Sequence, residues 1–167
     1  MSKSRQDFKI LANQVFCKSD DLNDIILPIS FDETKEASKM NIATRLSALN
    51  FLDNGGAIGV FPGGTVSTAQ SPFGVPMDPG WRSFTAKMIT RSDAQVVPIF
   101  FEGHNSRLFQ VASHIHYNLR MGLLIKEFKS KVGNPVKIAI GNPLSDTAIK
   151  SRSGNPRILM DFLREET

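Results

Sequence analysis

Three short, almost unbroken apolar runs constrain this chain more than any other feature: 57–61 (AIGVF), 95–101 (QVVPIFF) and 135–140 (PVKIAI). Between them lie longer segments with apolar residues at helical spacing. Strands that read as continuous apolar runs are covered on both faces, and strand–helix alternation brings such strands side by side. The expectation is an α/β fold with a mostly parallel sheet flanked by helices. Two further strands are predicted at 8–12 and at 25–30 (IILPIS), the second at an edge because Pro28 cannot donate to a ladder. A helix is predicted over 33–52, with Asp32 as its N-cap, Ile42, Leu46, Leu49 and Leu52 on its apolar face, and Asn54-Gly55-Gly56 as its stop. Further helices are predicted over 81–92, within 106–131, and from Pro156 to about 165. No linker or internal repeat divides residues 1–167, which read as one domain.

Composition removes several classes of function. No run approaches the roughly 18–20 apolar residues that span a bilayer, and residues 1–16 are too polar for a signal peptide. Cys17 is the sole cysteine, so it forms no internal disulfide, cysteine-rich zinc sites are excluded, and it reads as a small buried hydrophobe. A cytoplasmic location is the simplest expectation. The net charge is +4, and residues 84–167 carry 12 basic against 7 acidic side chains. That basic half suits anionic lipid or a phosphorylated ligand, but no nucleic-acid-binding signature accompanies it.

In an α/β sheet ligands bind beyond the carboxyl ends of the strands. That directs attention to the loops after Phe61 and after Phe101. The first reads Phe61-Pro62-Gly63-Gly64-Thr65-Val66-Ser67. Adjacent glycines allow a tight turn that aims N–H groups at one point, and Thr65 and Ser67 add hydroxyls. No Gly-Lys-Ser/Thr follows, so it is not a P-loop, and its glycine spacing is wrong for a dinucleotide fingerprint. His114 and His116 would share a face if they lay on a strand, but no third metal ligand is evident nearby. His104 lies on the ligand side and lacks an assigned acidic partner, since the adjacent Glu102 points away on an extended segment. No Gly-x-Ser-x-Gly elbow is present.

FPGGTVS (61–67) resembles the FPEGTRS block of the glycerolipid acyltransferases, the superfamily acting on glycerol 3-phosphate and lysophosphatidic acid. DFKILANQ (7–14), VVPIFFEGHNS (96–106) and PVKIAIGNPL (135–144) resemble that family's other blocks in the same order. Trp81 and Gly103-His104-Asn105-Ser106 make the hemolysin-like bacterial branch the nearest resemblance. The resemblance implies transfer of a fatty acyl group from an acyl carrier protein or coenzyme A thioester to a lipid hydroxyl, in phospholipid or ornithine-lipid metabolism, with no metal and no bound cofactor. It implies acceptor contacts at Phe61, Pro62, Gly63, Gly64, Thr65, Val66 and Ser67.

The family's catalytic His-x-x-x-x-Asp is missing, because none of the three histidines has Asp five residues on. The catalytic residues are therefore unassigned. The expectation is a shortened acyltransferase, inactive alone and with apolar sheet surface uncovered at 8–12, 60–61 and 97–101. The alternatives are a non-catalytic lipid- or acyl-binding module and an unrelated phosphate-binding α/β domain. Gly63 and Val66 replace the block's glutamate and arginine. Without that arginine, a phosphorylated acceptor is not expected to bind better than a neutral one.

Phe73, Val75, Met77 and Trp81 stand in a turn-rich loop. They either fold back over the core or form an apolar lip at an acyl groove or membrane. In the second case Lys126, Lys129, Lys131 and Lys137 would meet anionic headgroups in a peripheral contact at the inner face of the membrane.

Overall fold

The computed structural model describes residues 7–18 and 22–167. Its centre is a three-stranded parallel sheet in the order β2-β1-β3, with β1 Phe8–Asn13, β2 Ile26–Ile29 and β3 Ala57–Val60. Ile10 lies opposite Ile26 and Leu11 opposite Leu27, while Leu11 on its other side meets Val60. Pro28 sits on the edge strand, where its missing N–H interrupts no interior ladder.

Helix α1 (Lys35–Asp53) crosses from β2 to β3. Its N-cap is Thr34, whose side chain accepts from Ala37 N, and not Asp32. It ends at Asn54, and Gly55 adopts the left-handed φ of 81° that closes the turn. The buried face is Ala37, Thr44 and Ala48, with Leu49 and Leu52 half-buried, while Ile42 and Leu46 are exposed. Small residues at positions 37, 44 and 48 let the helix lie close to the sheet. Thr44 Oγ1 reaches Pro28 O at 2.6 Å, and the Asn41 amide bonds both Ser30 N and Ser30 O. These bonds satisfy the backbone at the end of the edge strand.

Beyond β3 the architecture departs from the expected extended parallel sheet. β4 (Thr68–Ala69) and β5 (Pro76–Met77) form one small antiparallel ribbon, and β6 (Ile99–Phe101) and β7 (Ile138–Ile140) form another. Neither joins the parallel sheet among the described residues. The predicted 95–101 strand is shortened to three residues. Its extended lead-in pairs instead by Gly141 N to Pro98 O and Leu144 N to Val96 O. Pro98 has no N–H to donate in return.

Five further α-helices complete the fold among the described residues. α2 is Phe84–Ile89, α3 Arg107–Ile115, α4 Tyr117–Lys131, α5 Asp146–Lys150 and α6 Pro156–Glu165. The short α5 was not anticipated, whereas α6 starts at Pro156, as expected, and the structure gives it Asn155 as N-cap. α2 joins two cores. Met88 packs with Leu11, Leu27 and Ala48 beneath the sheet, and Ala86 packs with Leu159, Met160 and Leu163 of α6.

Apolar surface is uncovered where expected at Phe61, Val97, Phe100 and Phe101. The 8–12 strand is better covered than expected, with Leu11 buried. Cys17 is half-buried rather than buried.

Candidate functional site

The loop 61–67 leaves the carboxyl end of β3, the position from which parallel sheets present ligand sites. Pro62 O accepts from Arg82 N at 3.1 Å, and Gly64 N donates to Phe61 O at 3.1 Å. Gly64 turns the chain with φ 67°. A Cβ there would stand 3.1 Å from Phe31 Cζ and 3.4 Å from Arg82 Nε, so conformation and space both select glycine. Gly63 is buried against Pro79, whereas Gly64 and Thr65 face solvent. Pro62, Val66 and Ser67 are half-buried. Phe61 is 61% exposed, and its ring lies 5.9 Å from that of Phe101. The loops after β3 and β6 therefore begin at neighbouring points, although β6 belongs to an antiparallel ribbon.

Several residues that the sequence did not single out shape this loop. Ser67 Oγ donates to Asp78 Oδ1, and Trp81 Nε1 donates to Asp78 Oδ2 at 3.4 Å. Arg120, in the first turn of α4, donates from Nη2 to Thr65 Oγ1 at 3.2 Å and from Nη1 to Thr68 Oγ1 at 3.1 Å. Its guanidinium lies over the Phe109 ring, 5.3 Å from the centroid. Arg82 stacks on Phe31 at 4.5 Å. It also lines a cleft of about 380 Å³ with Ser30, Phe31 and Asn41 at the carboxyl end of β2. A lone arginine early in a helix carries no sequence signal that separates it from a solvated surface charge.

The end of β4 is held by α3 as well as by its ribbon partner. Gln110 Oε1 accepts from Ala69 N at 2.9 Å, and His114 Nε2 lies 3.0 Å from Ala69 O. Residues four apart on a helix face the same way, so the pair clamps both backbone polar groups of buried Ala69. Pro76, opposite Ala69 in the ribbon, has no N–H to offer. His114 thus has a structural partner. His116 closes α3 and caps α4, accepting from Asn118 N at 3.1 Å, so the two histidines do not share a strand face. No cluster of three potential metal ligands occurs among the described residues.

The Gly-His-Asn-Ser segment is also accounted for by structure. Gly103 has φ 115°. Ser106 caps α3 by accepting from Phe109 N, while its own N–H and Oγ–H donate to Glu127 of α4. Burial alone would raise the Glu127 carboxyl. The two Ser106 bonds and the nearby Lys131 and Lys126 outweigh that and hold it below its ordinary value. Lys131 Nζ reaches His104 O and Asn105 Oδ1. The His104 ring lies 2.9 Å from Asn105 O, and Glu102 pairs with Lys137 at 3.5 Å. His104 therefore has no carboxylate orienting it among the described contacts.

The turn-rich loop divides its apolar residues. Phe73, Val75 and Met77 are exposed, at 82%, 76% and 58%, while Trp81 packs against the α2–α6 core. Arg107 Nη1 holds the tip by bonds to Phe73 O and Gly74 O. A second exposed stripe runs along α4 through Tyr117, Met121, Ile125, Phe128 and, just beyond it, Val132. Spacings of four, four, three and four residues keep these on one face.

Compared with known proteins, the chain matches a family model described as acyltransferase over residues 3–167. No curated protein and no solved structure matches it.

Proposed function

The chain belongs to the acyltransferase family, and from that premise we propose that it serves transfer of a fatty acyl group from an acyl carrier protein or coenzyme A thioester to a lipid hydroxyl. The observation that carries this reading is the 61–67 loop. It stands at the carboxyl end of β3 with Gly64 and Thr65 open to solvent and the exposed rings of Phe61 and Phe101 beside it. A hydroxyl-bearing headgroup fits the polar turn, and an acyl chain fits the apolar surface. The hemolysin-like branch, with a phospholipid or ornithine-lipid setting, is the finer form of the reading.

The 167 residues hold no His-x-x-x-x-Asp. In such an enzyme a general base takes the proton of the attacking hydroxyl, and losing it costs about 10²–10⁴-fold. These residues alone are thus proposed to bind donor and acceptor and to turn over at background. The absent pair also favours a second reading, a non-catalytic lipid- or acyl-binding module. Titration with a non-hydrolysable palmitoyl-coenzyme A thioether and with a lyso-lipid, beside a turnover assay, tests both. Binding with background turnover supports the proposal. Binding of neither overturns it, and turnover in the ordinary enzyme range would show that a base in this chain, His104 foremost, does the work.

A peripheral contact at the inner face of a membrane is part of the proposal. Phe73, Val75, Met77 and the α4 stripe are exposed, and Lys126 and Lys129 lie on α4. No described helix is long and apolar enough to cross a membrane. Flotation with phosphatidylglycerol vesicles tests the contact. Capture that is lost in Phe73→Ser/Val75→Ser supports it, and no capture overturns it.

A further inference from the structure

Residues 135–143 run Pro-Val-Lys-Ile-Ala-Ile-Gly-Asn-Pro, and all of them are exposed. Among the described residues β7 has β6 on one side and no strand on the other. The ladder between the two fixes which backbone groups stay open. Glu102 N donates to Lys137 O, and Gly141 N donates to Pro98 O. Antiparallel pairs alternate between bonded and non-bonded positions. With Phe100 opposite Ala139, the bonded positions on this strand are therefore 137, 139 and 141. The N–H and C=O groups of Ile138 and Ile140 point to the open edge, and no described residue bonds them. Four open backbone groups on an Ile-Ala-Ile edge are a template for another strand.

The segment is also self-complementary. Pro135 and Pro143 stand equally far from Ala139, and so do Ile138 and Ile140. A two-fold axis at Ala139 lays a second β7 antiparallel to the first, with Ile138 opposite Ile140 of the second copy. Those residues then become the bonded pairs, so that every open edge group is used. Ala139 meets its own counterpart at the closer, non-bonded position, where a small side chain fits. Lys137 faces Gly141 of the second copy, so no like charges meet, and it keeps its ion pair with Glu102. The prolines end the seam on both sides. A lipid surface could satisfy none of these backbone groups.

We propose that β7 pairs with β7 of a second copy of this chain, joining two ribbons into one four-stranded antiparallel sheet. Val136, Ile138, Ile140, Phe100 and Phe101 are 49–66% exposed. Side chains of this size present about 150–200 Å² each, so their open part is roughly 500 Å² per copy. Covering it in both copies reaches about 1,000 Å², the threshold of a specific interface and well short of an obligate one. The dimer is therefore reversible, and a closed two-fold stops at two copies. This pairing does not depend on the acyl-transfer reading.

Sedimentation velocity of the full chain over a concentration series, with amide hydrogen exchange at both ends of the series, tests the pairing. The chain should pass from monomer to dimer in the micromolar range. The amides of Ile138 and Ile140 should gain protection several-fold with concentration, while that of Ala139, already bonded within the ribbon, should not. Ile140→Pro removes an edge N–H and no bond of the ribbon, and should give a monomer that still melts cooperatively. Ile138→Lys and Ile140→Glu should each be monomeric alone and form a heterodimer when mixed, because this register sets position 138 against position 140. Ile125→Ser, on the α4 stripe, should dimerise like the parent. A parent that stays monomeric into the hundreds of micromolar, or assemblies that grow past two copies, would overturn the proposal. So would a dimer lost in Ile125→Ser but kept in Ile140→Pro, which would assign the interface to α4. Capture of a monomeric parent by phosphatidylglycerol vesicles that Ile140→Pro abolishes would assign the ribbon to lipid and overturn it too. Should Ile140→Pro fail to fold, mixing of the two charged variants and exchange at Ile138 decide instead.

Discussion

Replacing Ser106 by alanine removes two bonds at the junction of α3 and α4. One is the N-cap acceptance from Phe109 N at 3.3 Å, and the other is donation from Oγ to Glu127. A serine N-cap contributes about 0.5–2 kcal/mol. The link to Glu127 is exposed and adds no more than about 1 kcal/mol. The sum is about 0.5–3 kcal/mol, which for a chain of this size lowers Tm by about 1–9 °C. The Glu127 share depends on pH with a definite sign. A carboxyl held below its ordinary value of 4.5 stabilises the fold above that value and loses this stabilisation as pH falls through the lowered one. Thermal unfolding followed by circular dichroism at pH 7 and at about pH 3 should therefore show a smaller penalty for Ser106→Ala in acid. In a Glu127→Gln background the penalty at pH 7 should shrink toward the cap contribution alone. An unchanged Tm at pH 7, or an equal penalty at both pH values, would refute the assignment of this pair.

Gly64→Ala should cost about 1–2 kcal/mol for the left-handed conformation, and more where its Cβ meets Phe31 and Arg82; denaturant titration measures the loss. Leu159→Ala, at a fully buried position of the α2–α6 core, should destabilise by about 3–5 kcal/mol, seen as a Tm lower by roughly 10 °C or more. Arg107→Ala frees the carbonyls of Phe73 and Gly74; limited proteolysis should cut faster within 71–77 while Tm moves by less than about 2 °C.

Local chemistry made much of this molecule legible from its sequence. Pro156 after Asn155 opens α6, Asn54-Gly55 closes α1, and Pro28 puts its strand at an edge. Each depends on backbone geometry within a few residues. The 61–67 turn was visible for the same reason, because only glycine takes the Gly64 conformation cheaply. Partner choice across the chain was not visible. Short apolar runs at 95–101 and 135–140 are equally compatible with parallel and antiparallel pairing, and the fold set them together as an exposed antiparallel ribbon. Ile42 and Leu46 mimic a buried stripe, yet the sheet receives Ala37, Thr44 and Ala48, because close approach of a helix favours small side chains. Arg82 and Arg120 stand 15–21 and 53–59 residues from the loop they flank, so only tertiary structure could bring their charge beside it.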